Sequence, residues 1–389
     1  MKEQIESYTR MLRNTGSLSR LFSESDSPYL VSRSVENIYC EAFEAENLSR
    51  SDCSADAKYK NDGIGLKTFL HGNGRTLQKV AEFNKLSNLY RDKTARELVY
   101  TVAKLRNERI EFTKRTHDID TMIYHCVTRS PSKVSVFEEP MDLIDIRNIK
   151  SIKQATNTIT FEDGKHEYSF NLTKSTLYKR FILEEPMLEI DVAILEHPYL
   201  ALENLQKDIS VVASTPDSQL KVAEQLAFYT ISEQSHSEEE YVILPLFSDR
   251  GSERNVPERS GLNQWNAKGR PRDPNEIYIP IPKWIHNVFP DFFPARDTSF
   301  NLQVPSGKLL NAKVCQDGSK ALMTNPNKAL GEWLLRNVLN LEEGELLTYE
   351  MLEGLDIDSV IVTKQSDNDF KINFCEIGTY DNFKLENDL

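Results

Sequence analysis

Residues 54–70, SADAKYKNDGIGLKTFL, bring an aspartate, a turn and a lysine held between apolar residues into one short run. From Gly63 to Leu70 the alternation places Ile64, Leu66 and Thr68 on one face of a strand, with Gly65, Lys67 and Phe69 on the other. Ser54 to Lys60 is short enough to be extended too, and Asn61-Asp62-Gly63 is turn chemistry that would fold the runs into an antiparallel hairpin. Asp56 and Lys67 would then meet on one face. A carboxylate beside an ammonium suits metal-assisted hydrolysis, where the carboxylate holds a divalent ion and the lysine orients or deprotonates water. The same spacing also describes an ion pair on an exposed edge hairpin, and spacing alone favours that plainer arrangement because such pairs are common there.

The flanking segments decide what the hairpin belongs to. Residues 2–13 read as a helix, and so does SPYLVSRSVENIYCEAFEAENLSR (27–50), where Val35, Ile38, Tyr39, Ala42 and Ala45 recur at helical spacing. Glu46 falls within that stripe, Glu41 at its edge, and Glu44 points away. After the hairpin, RTLQKVAEFNKL (75–86) reads as a second helix, and residues 92–114 as a longer one carrying Ala95, Leu98, Val99, Val102 and Leu105. In TITFEDGKHEYSF (158–170), Asp163-Gly164 between alternating apolar runs is a hairpin signal. NLTKSTLYKRFIL (171–183) continues it with Lys174, Ser175, Thr176, Lys179 and Arg180, groups suited to contacting phosphates. His125 and Cys126 read as core.

At 232–240 the chain becomes SEQSHSEEE, charged and without apolar residues, ahead of the strand-like YVILPLF. This predicts two domains, 1–235 and 236–389. The second is mostly β: NEIYIPIP, FNLQVPSGKLLNAKVC and DSVIVTKQSDNDFKINFCEI offer short strands, and NKALGEWLLRNVL one helix, which together suggest a small open barrel. Two polar stretches there stand out. SGLNQWNAKGRPRDP crowds Asn263, Gln264, Asn266, Lys268, Arg270 and Arg272 around Trp265, and amides and guanidinium forks make bidentate contacts to purine edges. QDGSKALMTNPNK adds Gln316, Asp317, Ser319, Lys320 and Asn325. Gly, Asn and Pro enrichment by itself says only loop.

Composition narrows the classes. With 39% hydrophobic and 28% charged residues over 389 positions, the chain can build two or three cores without help from disulfides. Cys40, Cys53, Cys126, Cys315 and Cys375 are scattered, with no CxxC pair, which points to a reducing compartment, the cytoplasm, and no structural zinc. No run reaches membrane-spanning length. A net charge of −13 argues against indiscriminate coating of nucleic acid but leaves room for a local basic cleft.

The stretch SGLNQWNAKGRPRDPNEIYIPIPKWIHNVFPDFFP with KVCQDGSKALMTNPNKALGEWLLRNVL resembles the B3-like DNA-binding domain of some type II restriction endonucleases, over most of 238–363. The resemblance implies a pseudobarrel whose two arms grip the major groove, here Asn263–Arg272 and Gln316–Asn325. One nuclease known to accompany that domain is phospholipase-D-like and uses HxK motifs, and none of the seven histidines is followed two residues later by lysine. The other is the metal-dependent PD-(D/E)xK nuclease, whose core AENLSRSDCSADAKYKNDGIGLKTFL resembles: a helix with a glutamate, a strand with Asp56 and a strand with Lys67. The family's acid two positions before the lysine is Gly65 here, so a carboxylate must come from elsewhere. Glu46 is the choice, with Glu41 and Glu82 in reserve and Gln78 as support.

The resemblance thus implies an α/β (α+β) nuclease domain with a mixed central sheet, followed by a mainly β B3-like pseudobarrel. The expected activity is that of a type II restriction endonuclease, part of a restriction-modification system, cutting specific double-stranded DNA with Mg²⁺. Asp56 and Glu46 would hold the metal, Lys67 would place water, and Lys174, Lys179 and Arg180 would brace the backbone. Cutting two strands with one site per chain favours a homodimer or sequential nicking. The C-terminal domain would either locate the site or bind a second DNA copy as effector. The rivals are a non-catalytic DNA-binding regulator with a degenerate nuclease half, and a nuclease for modified DNA.

Overall fold

The structure is a computed structural model that describes residues 1–49, 53–204, 240–248 and 253–387, without the side chains of Lys85 and Asn88. The expected domain boundary at 235/236 lies outside the described residues. Two helices come first, α1 (Lys2–Ser17) and α2 (Ser32–Phe43). Strands follow as β1 (Glu46–Asn47), β2 (Ala57–Tyr59), β3 (Asp62–Leu70) and β4 (Arg75–Glu82), then the long helix α3 (Ala95–His117). After α3 run β5 (Thr121–Ser130), β6 (Lys133–Pro140), β7 (Lys150–Gln154), β8 (Thr158–Glu162), β9 (Glu167–Asn171), β10 (Thr176–Ile182) and β11 (Leu188–Asp191).

These strands form two sheets, a six-stranded one ordered β1-β2-β3-β5-β6-β11 and a five-stranded one ordered β4-β10-β9-β8-β7. The hairpin of 54–70 forms as its alternation predicts. Tyr59 pairs with Asp62, so the turn centres on Lys60-Asn61, one position ahead of expectation, with Lys60 at φ 55°. Beyond it β3 runs parallel to β5, and α3 makes the crossover between them. Ile64 and Leu66 pack with Val127, Val134 and Val136 beneath Tyr8, Leu12, Val35 and Tyr39 of α1 and α2. The opposite face, with Phe69, Tyr124, Cys126 and Phe137, meets Ile110 of α3 and Phe181 of β10. Lys67 belongs to that second face, so helices cover one side of the hairpin and α3 with the second sheet covers the other.

The segment RTLQKVAEFNKL is a correction: it forms strand β4 and a 3₁₀ stretch at Asn84–Leu89, not a helix. Seven residues of β10 pair with it in antiparallel register, and a ladder of that length outweighs a short run's helical periodicity. The 92–114 helix does form, opened by a capping box in which Thr94 and Glu97 bond reciprocally. Its apolar face, including Leu98, Val99, Val102 and Leu105, packs on Ile159, Phe161, Tyr168, Phe170 and Leu177 of the second sheet.

The C-terminal region is a seven-stranded sheet, β12 (Tyr241–Pro245), β13 (Ile279–Pro280), β14 (Ser299–Gln303), β15 (Leu309–Cys315), β16 (Ala321–Thr324), β17 (Ile357–Lys364) and β18 (Asp369–Glu376). Their order, β12-β17-β18-β14-β15-β16-β13, ends with β13 lying back beside β12, a nearly closed barrel. NKALGEWLLRNVL forms a short α-helical turn, Ala329–Gly331, leading into a π-helical one, Glu332–Val338. It is not the single helix of the region: Lys283–Val288, Tyr349–Gly354 and Thr379–Glu386 are helical as well. No helix among the described residues is long and apolar enough to cross a membrane, and no disulfide joins any of the five cysteines.

Candidate functional site

Asp56 sits where the β2–β3 ladder ends. Its main-chain N–H donates to Ile64 O at 2.8 Å, and its Oδ2 accepts from Leu66 N at 2.7 Å, so the side chain continues the ladder that the main chain abandons. Burial pushes the Asp56 carboxyl above the usual carboxylate range, while the nearby Lys67 ammonium and the Leu66 amide pull it back and the Glu36 carboxylate adds to the rise. The side chain of Lys67, one residue past that amide, makes no hydrogen bond among the described residues.

The space beside Gly65 is filled by apolar side chains. A Cβ on Gly65 would come within 2.5 Å of Met141 Cε and 3.2 Å of the Tyr124 ring, so the space is already occupied by apolar core. Glu46 does not fill the role by the route expected, because α2 ends at Phe43 with Glu44 in the left-handed conformation. That reversal puts Glu46 on the edge strand β1, exposed, opposite Lys58. Glu41 is exposed on α2. Glu82 lies at the end of β4 and pairs with Lys79 at 2.9 Å, and Gln78, also on that strand, donates to Thr76 Oγ1.

The helix carboxylate that acts on Asp56 is Glu36, which the apolar stripe hides by standing one residue after Val35. Its side chain is 12% exposed and pairs with Arg33 at 3.1 Å. Its signal in the sequence is the i, i+4 spacing to Cys40, whose thiol both Glu36 and Asp56 push upward, to about 11, after burial. Among the described residues no three Asp, Glu, His or Cys side chains converge as a ready-made metal cage. Two carboxylates still fit Mg²⁺, which keeps several waters and takes one or two carboxylates plus substrate phosphate oxygens.

Lys67 opens onto a cleft of about 420 Å³ walled by β4, α3 and the C-terminal region, with Lys79, Arg106, Arg109, Tyr124, Asp356 and Glu376 among its lining. Arg109 donates to Glu82 O at 2.7 Å and meets Asp356 of the C-terminal region at 3.0 Å. Burial lowers its guanidinium pKa, and Asp356 opposes that shift. One turn further along α3, Phe112 enters the C-terminal core against Phe374, with ring centroids 5.3 Å apart.

The polar loops divide into scaffold and surface. Asn263 is 0% exposed: its amide donates to Pro257 O and Leu347 O and accepts from Leu347 N, so it pins the first loop and offers nothing to a base. Trp265 packs against the barrel core, and Asn266 donates to Glu258 O. Arg272 folds inward onto Ala267 O at 2.7 Å, and Gln264 lies in the same short 3₁₀ turn as Trp265 and Asn266. Lys268 and Arg270 remain exposed, Arg270 pairing with Glu276. In the second loop Asp317, Lys320 and Asn325 are exposed and Gln316 half-buried, and Ser319 bonds His286 through its carbonyl. Antiparallel β13–β16 pairing brings the first loop in from the Asn325 end of β16, away from Gln316–Ser319.

Of the proposed backbone braces, Lys174 is exposed and Arg180 is held by Glu167 through bonds of 2.8 and 3.0 Å. Lys179 is a correction. It is 1% exposed, ion-paired with Glu139 and set over the Phe181 ring at 4.5 Å, because the alternation of β10 turns it inward with Leu177 and Phe181. Its ammonium is committed to Glu139, so it is not placed as a backbone brace.

A search of curated proteins found no match to the chain. Residues 234–361, less than half of it, match the family model of the NgoFVII C-terminal B3-like DNA-binding domain. The nearly closed barrel and its two polar loops are therefore similar to the DNA-binding domain of a restriction enzyme, which makes DNA the partner this region supports.

Proposed function

We propose that the chain is a restriction endonuclease that hydrolyses phosphodiester bonds of specific double-stranded DNA with Mg²⁺. One observation carries the reading: a region matching a restriction enzyme's DNA-binding domain shares the chain with a hairpin on which the Lys67 ammonium acts on the Asp56 carboxyl, beside a cleft that Lys67 lines. The helix, strand and strand order that a PD-(D/E)xK core would need is present as α2, β2 and β3. Asp56 would hold the ion together with a second carboxylate, Glu46 on the edge strand β1 or Glu36 on α2, whose charge adds to the rise of the Asp56 carboxyl. Bound there, Mg²⁺ would stabilise charge developing on the phosphate. Lys67 would orient the attacking water, and Tyr124 and Met141 would close the floor of the site. The exposed groups of the two barrel loops, Lys268, Arg270, Lys320 and Asn325 first among them, would read or brace the DNA.

Incubating the purified chain with mixed-sequence phage DNA tests this. Discrete fragments with Mg²⁺, none with EDTA, and a loss of about 10²–10³-fold in rate for Lys67→Ala are expected, the scale on which removing one catalytic donor acts. A Lys67→Ala rate equal to wild type would remove the lysine from the mechanism. Comparing one-site with two-site plasmids tests a second DNA copy as effector, and sedimentation with and without DNA tests a homodimer.

The second reading, a DNA-binding regulator with a degenerate nuclease half, draws on Gly65 and the apolar core filling its space. DNA that stays intact under every metal yet shifts in a binding assay would select it.

A further inference from the structure

Arg106 of α3 is 2% exposed, yet no carboxylate lies within ion-pair distance of it among the described residues. Its Nη1 donates to the Asp142 carbonyl at 2.6 Å and its Nη2 to Tyr124 Oη at 3.3 Å, both neutral acceptors, and its buried Nε has no partner. A buried cation without an anion is costly, and proteins normally pair or neutralise one. Its neighbours follow that rule: Arg109 has Asp356 and Lys179 has Glu139. Arg106 lines the cleft onto which Lys67 opens, and Tyr124, which its fork grips, pairs across the ladder with Gly65, two residues from Lys67.

We propose that Arg106 is the anchor of an anion site whose ligand is a DNA backbone phosphate, held in the cleft beside Lys67. The planar guanidinium presents a fork matched to phosphate oxygens, and the bonds to Asp142 and Tyr124 orient it beforehand, so little side-chain entropy is lost on binding. This rests on the nuclease reading for the identity of the ligand and not for the existence of the site.

The test begins with inorganic phosphate as the probe, in metal-free buffer, reading the melting temperature of the full chain. At phosphate well above its dissociation constant the wild type should rise by about 2–4 °C. Arg106→Lys, which keeps the charge, and Arg106→Met, which removes it, should lose most of that response whatever their basal stability. If Arg106→Met fails to fold, Arg106→Lys decides. An equal phosphate response in wild type and Arg106→Lys overturns the site, and so does no response in either.

The second arm measures binding of a duplex oligonucleotide against salt. Loss of one phosphate contact should reduce the log–log slope by about 0.9. An unchanged slope together with a lost phosphate response would mean that the site takes free phosphate and not the DNA backbone, which overturns the assignment. Neither arm uses cleavage. A chain that never cuts DNA but shows both effects retains the site and loses the nuclease reading, and a chain that cuts DNA without them does the reverse.

Discussion

At Asp56 two demands conflict. The position that would let a carboxylate hold a metal is also one where burial penalises its charge, and the folded carboxyl binds its proton more tightly than the unfolded chain does. The stability tied to this group is therefore fully present below the unfolded carboxyl pKa and declines as pH rises through the raised folded value. Asp56→Asn removes the charge while its amide oxygen still accepts from Leu66 N. The variant should melt above wild type at pH 7, with the difference vanishing in acid, and should be inactive in DNA cleavage. Thermal melts at both pH values with a digestion assay check this, and a variant less stable than wild type at pH 7 would count against a strained, functional Asp56.

Among the elements, α3 has the most consequence: it is crossover, core and cleft wall at once. Its sequence announces a helix through the apolar stripe, but neither the Thr94 capping box that opens it nor the buried C-terminal end that holds His117, whose ring is pushed down to about 4 by burial and then by Lys58. Below its ordinary pKa the unfolded chain takes up the proton first, so stability is lost as pH falls from the ordinary histidine range toward 4. Urea midpoints measured across that window should drop in wild type and drop less in His117→Asn. Equal slopes would show that other groups dominate. Strand β4 shows the opposite legibility. RTLQKVAEFNKL fits a helix by spacing and becomes a strand because β10 offers it a complete ladder, and β10 lies about a hundred residues further along the chain.

Across the whole molecule, α3 joins the two halves through Phe112, which is buried in the barrel core, the Arg109–Asp356 pair and the Arg115 Nε bond to Val338 O at 2.9 Å. Phe112→Ala should cost about 3–5 kcal/mol in chemical unfolding, the range for deleting a buried ring. Calorimetry should then resolve two transitions where wild type shows coupled unfolding, whereas a single unshifted transition would deny that contact its role.

Alternation and turn residues act over a few positions, so SADAKYKNDGIGLKTFL alone is enough to show a hairpin with Ile64 and Leu66 on one face and Lys67 on the other. The barrel strands and the Asp163-Gly164 hairpin are legible for the same reason. Which carboxylate's charge reaches Asp56, what fills the space beside Gly65, and that Lys179 and Asn263 are scaffold while Arg106 lacks a counter-ion among the described residues all depend on groups distant in sequence. Met141, Tyr124, Glu139 and Leu347 decide those outcomes by occupying space or by supplying a partner. Packing and ion pairing act between neighbours in space, and only the tertiary structure makes these residues neighbours.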